Sequence, residues 1–363
     1  MKTNRFFLAA AVALTMAACQ HNPDNVDDNP ANALQLMYKD SVYQLTGIAK
    51  ESNGPLFVSY PRWSDTYRYG VVRVDDHDAV PFPDLGMNQW VPDQDGRNKW
   101  VCAQSLYIDD STHIWVVDPS APMMKQIRGN GAKLVQLDHH GNVARTYSFM
   151  GKIPDTAYLN DVRVDVQRQF AYLTESKGGG ILVVNLTTGN IRRLLSSHYS
   201  TKSDPAFKFV IDGKELMKEG RAVKINSDGI ALTPDGNWLY YKPLTDDKLY
   251  RIKTEFLRDN NVSDADMGTK VEDLGHFTTT DGMIFDKNGN LYLGDLQQYR
   301  IVKIDQNMKM STLVQDDRLI WPDSYSIADG FLYISNSQIH KQPEYNNGAN
   351  LRTTPYTVYR WRL

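Results

Sequence analysis

Two cysteines in 363 residues, eight histidines without metal-type spacing, and 40 basic against 43 acidic side chains leave several function classes without support. Cys19 is expected to be lipidated at the start of the mature chain, which leaves Cys102 as its one free thiol. One thiol closes no internal disulfide, and the fold must hold by packing. Cys102 stands between Val101 and Ala103 with no basic neighbour to lower its pKa. It therefore reads as a small buried hydrophobe and not as a nucleophile. The near balance of charge gives no basic footprint, which argues against nucleic acid as a partner. Ser-His-Asp order and a phosphate-cradling loop are missing too. Gly178-Gly179-Gly180 lies between two strands, which makes it a hairpin.

Lys2 and Arg5, the apolar run Phe6 to Leu14 and the small residues after it read as a signal peptide over residues 1–18. The apolar run is too short for an ordinary membrane span. Met16-Ala17-Ala18-Cys19 resembles a bacterial lipobox, which implies cleavage before Cys19 and its lipidation. Residues 19–35 are polar and carry Pro23, Asp24, Asp27, Asp28 and Pro30, the composition of a disordered tether. The expectation is an exported, lipid-anchored monomer. With Gln20 after Cys19, the sorting habit of such proteins points to the outer membrane.

Residues 36–363 read as strands and turns. Trp238-Leu239-Tyr240-Tyr241 and Phe331-Leu332-Tyr333-Ile334 are aromatic strands, and Asp235-Gly236, Asn288-Gly289 and Asp329-Gly330 are turn signals. The phrase Asp228-Gly229-Ile230-Ala231-Leu232 recurs at Asp281-Gly282-Met283-Ile284-Phe285. Weaker copies begin at Thr46, Gln104, Asn160 and Asp323. Six units of four antiparallel strands predict an all-β fold, a six-bladed β-propeller. The strand Tyr356 to Leu363 is placed to close the ring beside the N-terminal segment. A short helix is expected at Thr254 to Arg258. Ser196 to Lys224 is long enough for a lid or binding segment.

Phe57-Val58-Ser59-Tyr60-Pro61-Arg62-Trp63, Tyr158-Leu159-Asn160-Asp161-Val162, Leu239-Tyr240-Tyr241-Lys242-Pro243-Leu244 and Trp321-Pro322-Asp323 follow one another in an order that resembles the yellow / major royal jelly protein family. The likeness runs from about residue 45 to residue 340. Ser227-Asp228-Gly229 and Thr280-Asp281-Gly282 are similar, more distantly, to gluconolactonase / senescence-marker propellers. The first resemblance implies binding of small amines or sterol-like ligands, or dopachrome conversion. The second implies a divalent cation on the axis and lactone hydrolysis.

In a propeller the residues that start the innermost strands crowd one mouth of the channel. Those first positions are Thr46, Gln104, Asn160, Asp228, Asp281 and Asp323. Turn chemistry accounts for any one acid before glycine. Taken together, Asn160, Asp228, Asp281 and Asp323 are candidates to ligate a divalent cation. Calcium is preferred because all the donors are oxygen. Thr46 stands where the lactonase-like pattern has a glutamate, which separates this chain from that chemistry. Lys242 is a rival internal cation. Arg62, Gln104 and Lys242 are the expected ligand-pocket residues. The reading favours a small-molecule-binding propeller over a metal-dependent hydrolase of lactones or esters.

Overall fold

Alternate residues of a strand face opposite sides of its sheet, so a strand buried on both sides can serve two cores. Trp238–Pro243 does so. Leu239 and Tyr241 pack with Tyr172, Ile181 and Tyr250, while Tyr240 packs with Leu249, Met283 and Leu291. Each such side chain contributes about 1.5–3 kcal/mol of burial. The computed structural model describes residues 33–75 and 78–363. The leader, Cys19 and most of the tether lie outside the described residues.

Six four-stranded antiparallel sheets form a ring, a six-bladed β-propeller. The innermost strands are Ile48–Lys50, Ser105–Ile108, Leu159–Asp165, Ser227–Leu232, Met283–Phe285 and Pro322–Ala328, which define blades 1 to 6. Each lies against the innermost strands of the blades on either side. Blade 6 is completed by the N-terminal strand Gln35–Asp40, which pairs antiparallel with Tyr356–Arg362. The compact unit starts at Leu34, so Leu34 and Gln35 belong to the propeller and not to the tether. The helix Thr254–Arg258 follows the third strand of blade 4, as its sequence predicts. Cys102 is fully buried, and burial first, then the charge of Asp118, pushes its thiol up to about 12. It is a packing residue.

The segment between blades 3 and 4 folds into two small hairpins, Val210–Ile211 with Lys214–Glu215 and Met217–Lys218 with Arg221–Ala222. Phe209, Ile211 and Leu216 pack with Leu244, Leu296, Trp321 and Ile339, which follow or precede strands of blades 4, 5 and 6. The long insertion therefore covers the end of the ring where the innermost strands begin.

Candidate functional site

Three of the six first positions sit on β-bulges. The register slips between Leu159 and Val162, between Ser227 and Ile230, and between Pro322 and Tyr325. A bulge frees two residues from the ladder and re-aims a side chain. The slips carry Asn160-Asp161, Asp228-Gly229 and Asp323-Ser324. Asp281-Gly282 lies just ahead of the strand Met283–Phe285. In blade 2, by contrast, Ser105 pairs regularly with Val117.

Hydrogen bonds between blades hold the ring at this level. The hydroxyl of Ser59 donates to Gln104 O at 2.8 Å, Ser105 to Asn160 O at 2.5 Å, Thr174 to Asp228 O at 2.6 Å, and Ser335 to Thr46 O at 2.6 Å. Gly282 N donates to Asp323 O at 2.8 Å. At the junction of blades 4 and 5 a Cβ on Gly229 would lie 2.5 Å from Asp281 O, so only glycine lets the strands approach.

All six first positions are buried. Asn160 Nδ2 donates to Asp228 Oδ1 at 2.8 Å, and Trp321 Nε1 donates to Asp281 Oδ2 at 2.8 Å. Burial first, then the charge of Asp281 and a hydrogen bond with it, hold Asp228 protonated well above the carboxylate range. Burial pushes Asp281 up to about 7, against the hydrogen bonds from Asp228 and Trp321. The two titrate as a pair, with Asp228 the protonated donor. Asp323 is raised well above its ordinary value by burial and then by Asp281. The Ser337 hydroxyl pulls the other way as a hydrogen-bond donor beside it, too loosely placed to complete Oδ2 among the described residues.

Sequence reasoning missed a fourth acid. Asp161 is buried beside Asn160, with a carboxyl raised by burial and lowered by Arg163. Its Oδ2 faces Gly282, 3.5 Å from where a Cβ would stand there. The signal was present in Asn160-Asp161-Val162-Arg163-Val164-Asp165, whose polar residues at 161, 163 and 165 share one face. Trp321, Tyr345 and His340 were missed as well. His340 stacks on Trp321 with centroids 5.6 Å apart, and burial lowers its pKa to about 4.

Lys242 occupies a repeated slot. In blades 1, 3 and 6 a hydroxyl on the second strand accepts from the amide after the first position: Gly47 N to Ser59, Asp161 N to Thr174, Ser324 N to Ser335. Counting from Tyr241 opposite Ile230, blade 4 puts Lys242 there. It is fully buried, and burial lowers its pKa to about 8 while Asp246, Asp228, Asp247 and Asp281 pull it up. Its Nζ donates to Pro243 O at 2.6 Å and Asp246 O at 2.7 Å, so its hydrogen bonds go to carbonyls. Gln104 is tied into the ring. Its carbonyl accepts from Thr46 at 2.7 Å, and its Oε1 from the Tyr158 hydroxyl at 2.8 Å. Arg62 stands apart. Its guanidinium lies 4.6 Å from the Tyr67 ring centroid and 5.2 Å from that of Trp90, and it donates to Trp90 O at 3.1 Å.

A cavity of 330 Å³ opens between the second insertion hairpin and blade 3, with Tyr158 and Tyr345 in its wall and Lys177, Lys218, Arg221 and Lys224 around it. Tyr158 connects it to Gln104. The charge of Asp281 reaches Tyr345, whose phenol is raised chiefly by burial. The oxygen donors suit a hard cation chemically. Among the described residues, however, no group of three or more His, Cys, Asp or Glu side chains is placed to hold a metal ion. The Thr46 hydroxyl in the first-blade slot is engaged on Gln104 O.

The sequence model of the Major royal jelly protein family matches residues 101–359, more than half of the chain. Major royal jelly protein 1 of Apis mellifera is 24% identical over 274 residues, which cover 71% of this chain and 56% of that protein. Major royal jelly protein 7 of the same organism is 26% identical over 227 residues, 59% and 48% of the two chains. The chain spans about half the length of the curated relatives it matches. Among solved structures, a gluconolactonase of Xanthomonas campestris superposes with a TM-score of 0.53 at 10% identity, over 92% of this chain and 96% of that one. That is a likeness of fold alone.

Proposed function

We propose a function from one premise, that this chain belongs to the major royal jelly protein family. It is a small-molecule-binding propeller, held to the cell envelope through lipidated Cys19, that takes its ligand at the acidic, insertion-covered mouth of the channel. One observation carries the reading. Asp228, Asp281 and Asp323 are desolvated together, Lys242 gives its hydrogen bonds to carbonyls, and Asp323 has no donor beside it but the loosely placed Ser337 hydroxyl among the described residues. Buried acceptors without donors are costly, so the site favours a ligand that brings donors or positive charge. Tyr158 and Tyr345 offer the body of such a ligand an aromatic wall.

The test is a thermal-shift screen of lactones, catecholamines and indoleamines on the mature domain in chelator, repeated with Asp281→Asn. Saturable stabilisation by an amine, lost in the variant, is the expected result. A panel that leaves both proteins unmoved would count against the site.

A second reading, a divalent-metal-dependent lactonase-like hydrolase, is favoured by the same buried carboxyls as a set of all-oxygen donors. Asn160, Asp228, Asp281 and Asp323 would hold the cation, calcium for preference, and the metal would polarise a carbonyl and activate water. Metal analysis of the purified domain tests it. A stoichiometric cation, and a calcium-dependent rise in thermal stability that Asp281→Ala abolishes, would replace the binding reading. Metal uptake by Lys242→Ala alone would identify Lys242 as the internal substitute.

A further inference from the structure

The opposite mouth of the same channel carries the reverse charge. Arg163 projects from the innermost strand of blade 3. One guanidinium nitrogen donates to Val162 O at 2.6 Å, and the other crosses to Met283 O on blade 5, also at 2.6 Å. The guanidinium lies 5.2 Å from the centroid of the Tyr107 ring on blade 2. It is buried, makes no ion pair among the described residues, and its Nε has no hydrogen-bond partner. Arg163 thus spans three blades and separates the acidic end from what lies beyond.

Beyond it is a cavity of 140 Å³ to which every blade contributes: Ile48, Tyr107, Arg163, Leu232, Ile284 and Tyr325 in blade order. This is the axial well of the far face. Its walls are aliphatic and aromatic, with the guanidinium as its buried charge. Two acids lie on its lining as well. Asp286 is committed to its own turn, accepting from Asn288 N, Asn290 N and Nδ2, and the Tyr292 hydroxyl. Asp110 is exposed, as is Lys287 on the same lining.

We propose that this well is a second binding site, for a small carboxylate carried on a compact apolar or aromatic body, with Arg163 receiving the carboxylate. Guanidinium is the side chain suited to planar oxyanions, and its attraction to a carboxylate is strong where water is excluded. The size follows from the volume, since an apolar cavity of about 150 Å³ takes benzene. The site shares no lining residue with the acidic mouth.

Titration calorimetry of the mature chain with benzoate and its neutral isostere benzamide tests the proposal. One benzoate per chain is expected, with benzamide weaker by about tenfold or more. Arg163→Met should abolish benzoate binding and Arg163→Lys should weaken it, while Asp281→Asn should leave it unchanged. If Arg163→Met does not fold, a tryptophan at Ile108, which also lines the well (Ile108→Trp), fills it and keeps the arginine, and must abolish binding instead. Absence of saturable benzoate binding would overturn the proposal. So would binding that survives Ile108→Trp, or binding lost in Arg221→Ala, which would place benzoate under the insertion.

Discussion

The two mouths of the channel are built from the same six strands and differ in what they leave uncompensated. Where the strands begin, four buried carboxyls, those of Asp161, Asp228, Asp281 and Asp323, gather beneath an apolar cover. Where they run out, one buried guanidinium stands in a well of aliphatic and aromatic side chains with no carboxylate bonded to it. Arg163 pulls the Asp161 carboxyl down, so each end feels the other. Yet none of the acids makes an ion pair with it among the described residues. A stability-driven arrangement would pair these charges, because a buried charge without a partner is expensive. Keeping them apart leaves each end able to take a ligand of opposite sign.

The cover is the first place to break the comparison, since among the described residues only the acidic mouth has one. Phe209 is buried and packs edge-on against Trp321 with centroids 5.8 Å apart. Phe209→Ala should cost about 3 kcal/mol of docking for the insertion. Hydrogen exchange should then rise across residues 207–223 and stay unchanged in the blade strands. Ligand binding at the acidic mouth should weaken, with benzoate binding at the far mouth unaffected. Exchange that rises uniformly over the propeller would show the insertion to be part of the core and not a cover.

The charge itself is tested by pH. In the folded state Asp281 keeps its proton up to about pH 7, whereas the unfolded chain releases it near its ordinary value of 3.8. Between those values the folded state binds more protons, so this group makes stability fall as pH rises from about 4 to about 7. Asp281→Asn removes the ionisation and keeps an acceptor for Trp321. The variant should fall less steeply over that window, since Asp228 and Asp323 keep their own raised carboxyls. It should be more stable than the parent by about 2 kcal/mol at pH 8 in chelator, read by chemical denaturation. A parent whose stability rises through the window would mean that the acidic mouth is already compensated, and the contrast between the two ends would fail.

The acids of this mouth were legible because their positions repeat. Asp228 and Asp281 precede glycine at equivalent strand starts, and Asn160 and Asp323 align with them once the six units are put in register. What aims them was not legible. A bulge adds one residue to one strand only, and it shows as a register slip after pairing is known. Asp161 and Arg163 escaped for a related reason. Alternation places both on the polar face of a strand, but whether that face meets solvent or the axis depends on the closed ring. Lys242 was recognised as an unusual cation, yet its slot is a hydroxyl position in three other blades. Only the register shows it there, bonded to carbonyls. The order of the blades and the helix at Thr254–Arg258 followed from local pattern, and contacts across the axis did not.

The smallest effect separates ring geometry from charge. The Ser335 hydroxyl accepts from Ser324 N at 2.9 Å and donates to Thr46 O at 2.6 Å, tying blade 6 to blade 1. Ser335→Ala leaves a buried amide and a buried carbonyl each short of a partner and should cost about 1 kcal/mol. The strut joins the bulge of Asp323 in blade 6 to the neutral start of blade 1, and bonds to neither Asp228, Asp281 nor Arg163. Stability should therefore fall while binding at both mouths keeps its affinity, measured on one preparation by denaturation and calorimetry. If Ser335→Ala weakens amine binding as much as Asp281→Asn does, the acidic mouth works through the exact closure of the ring, and its carboxyls are secondary to the shape they line.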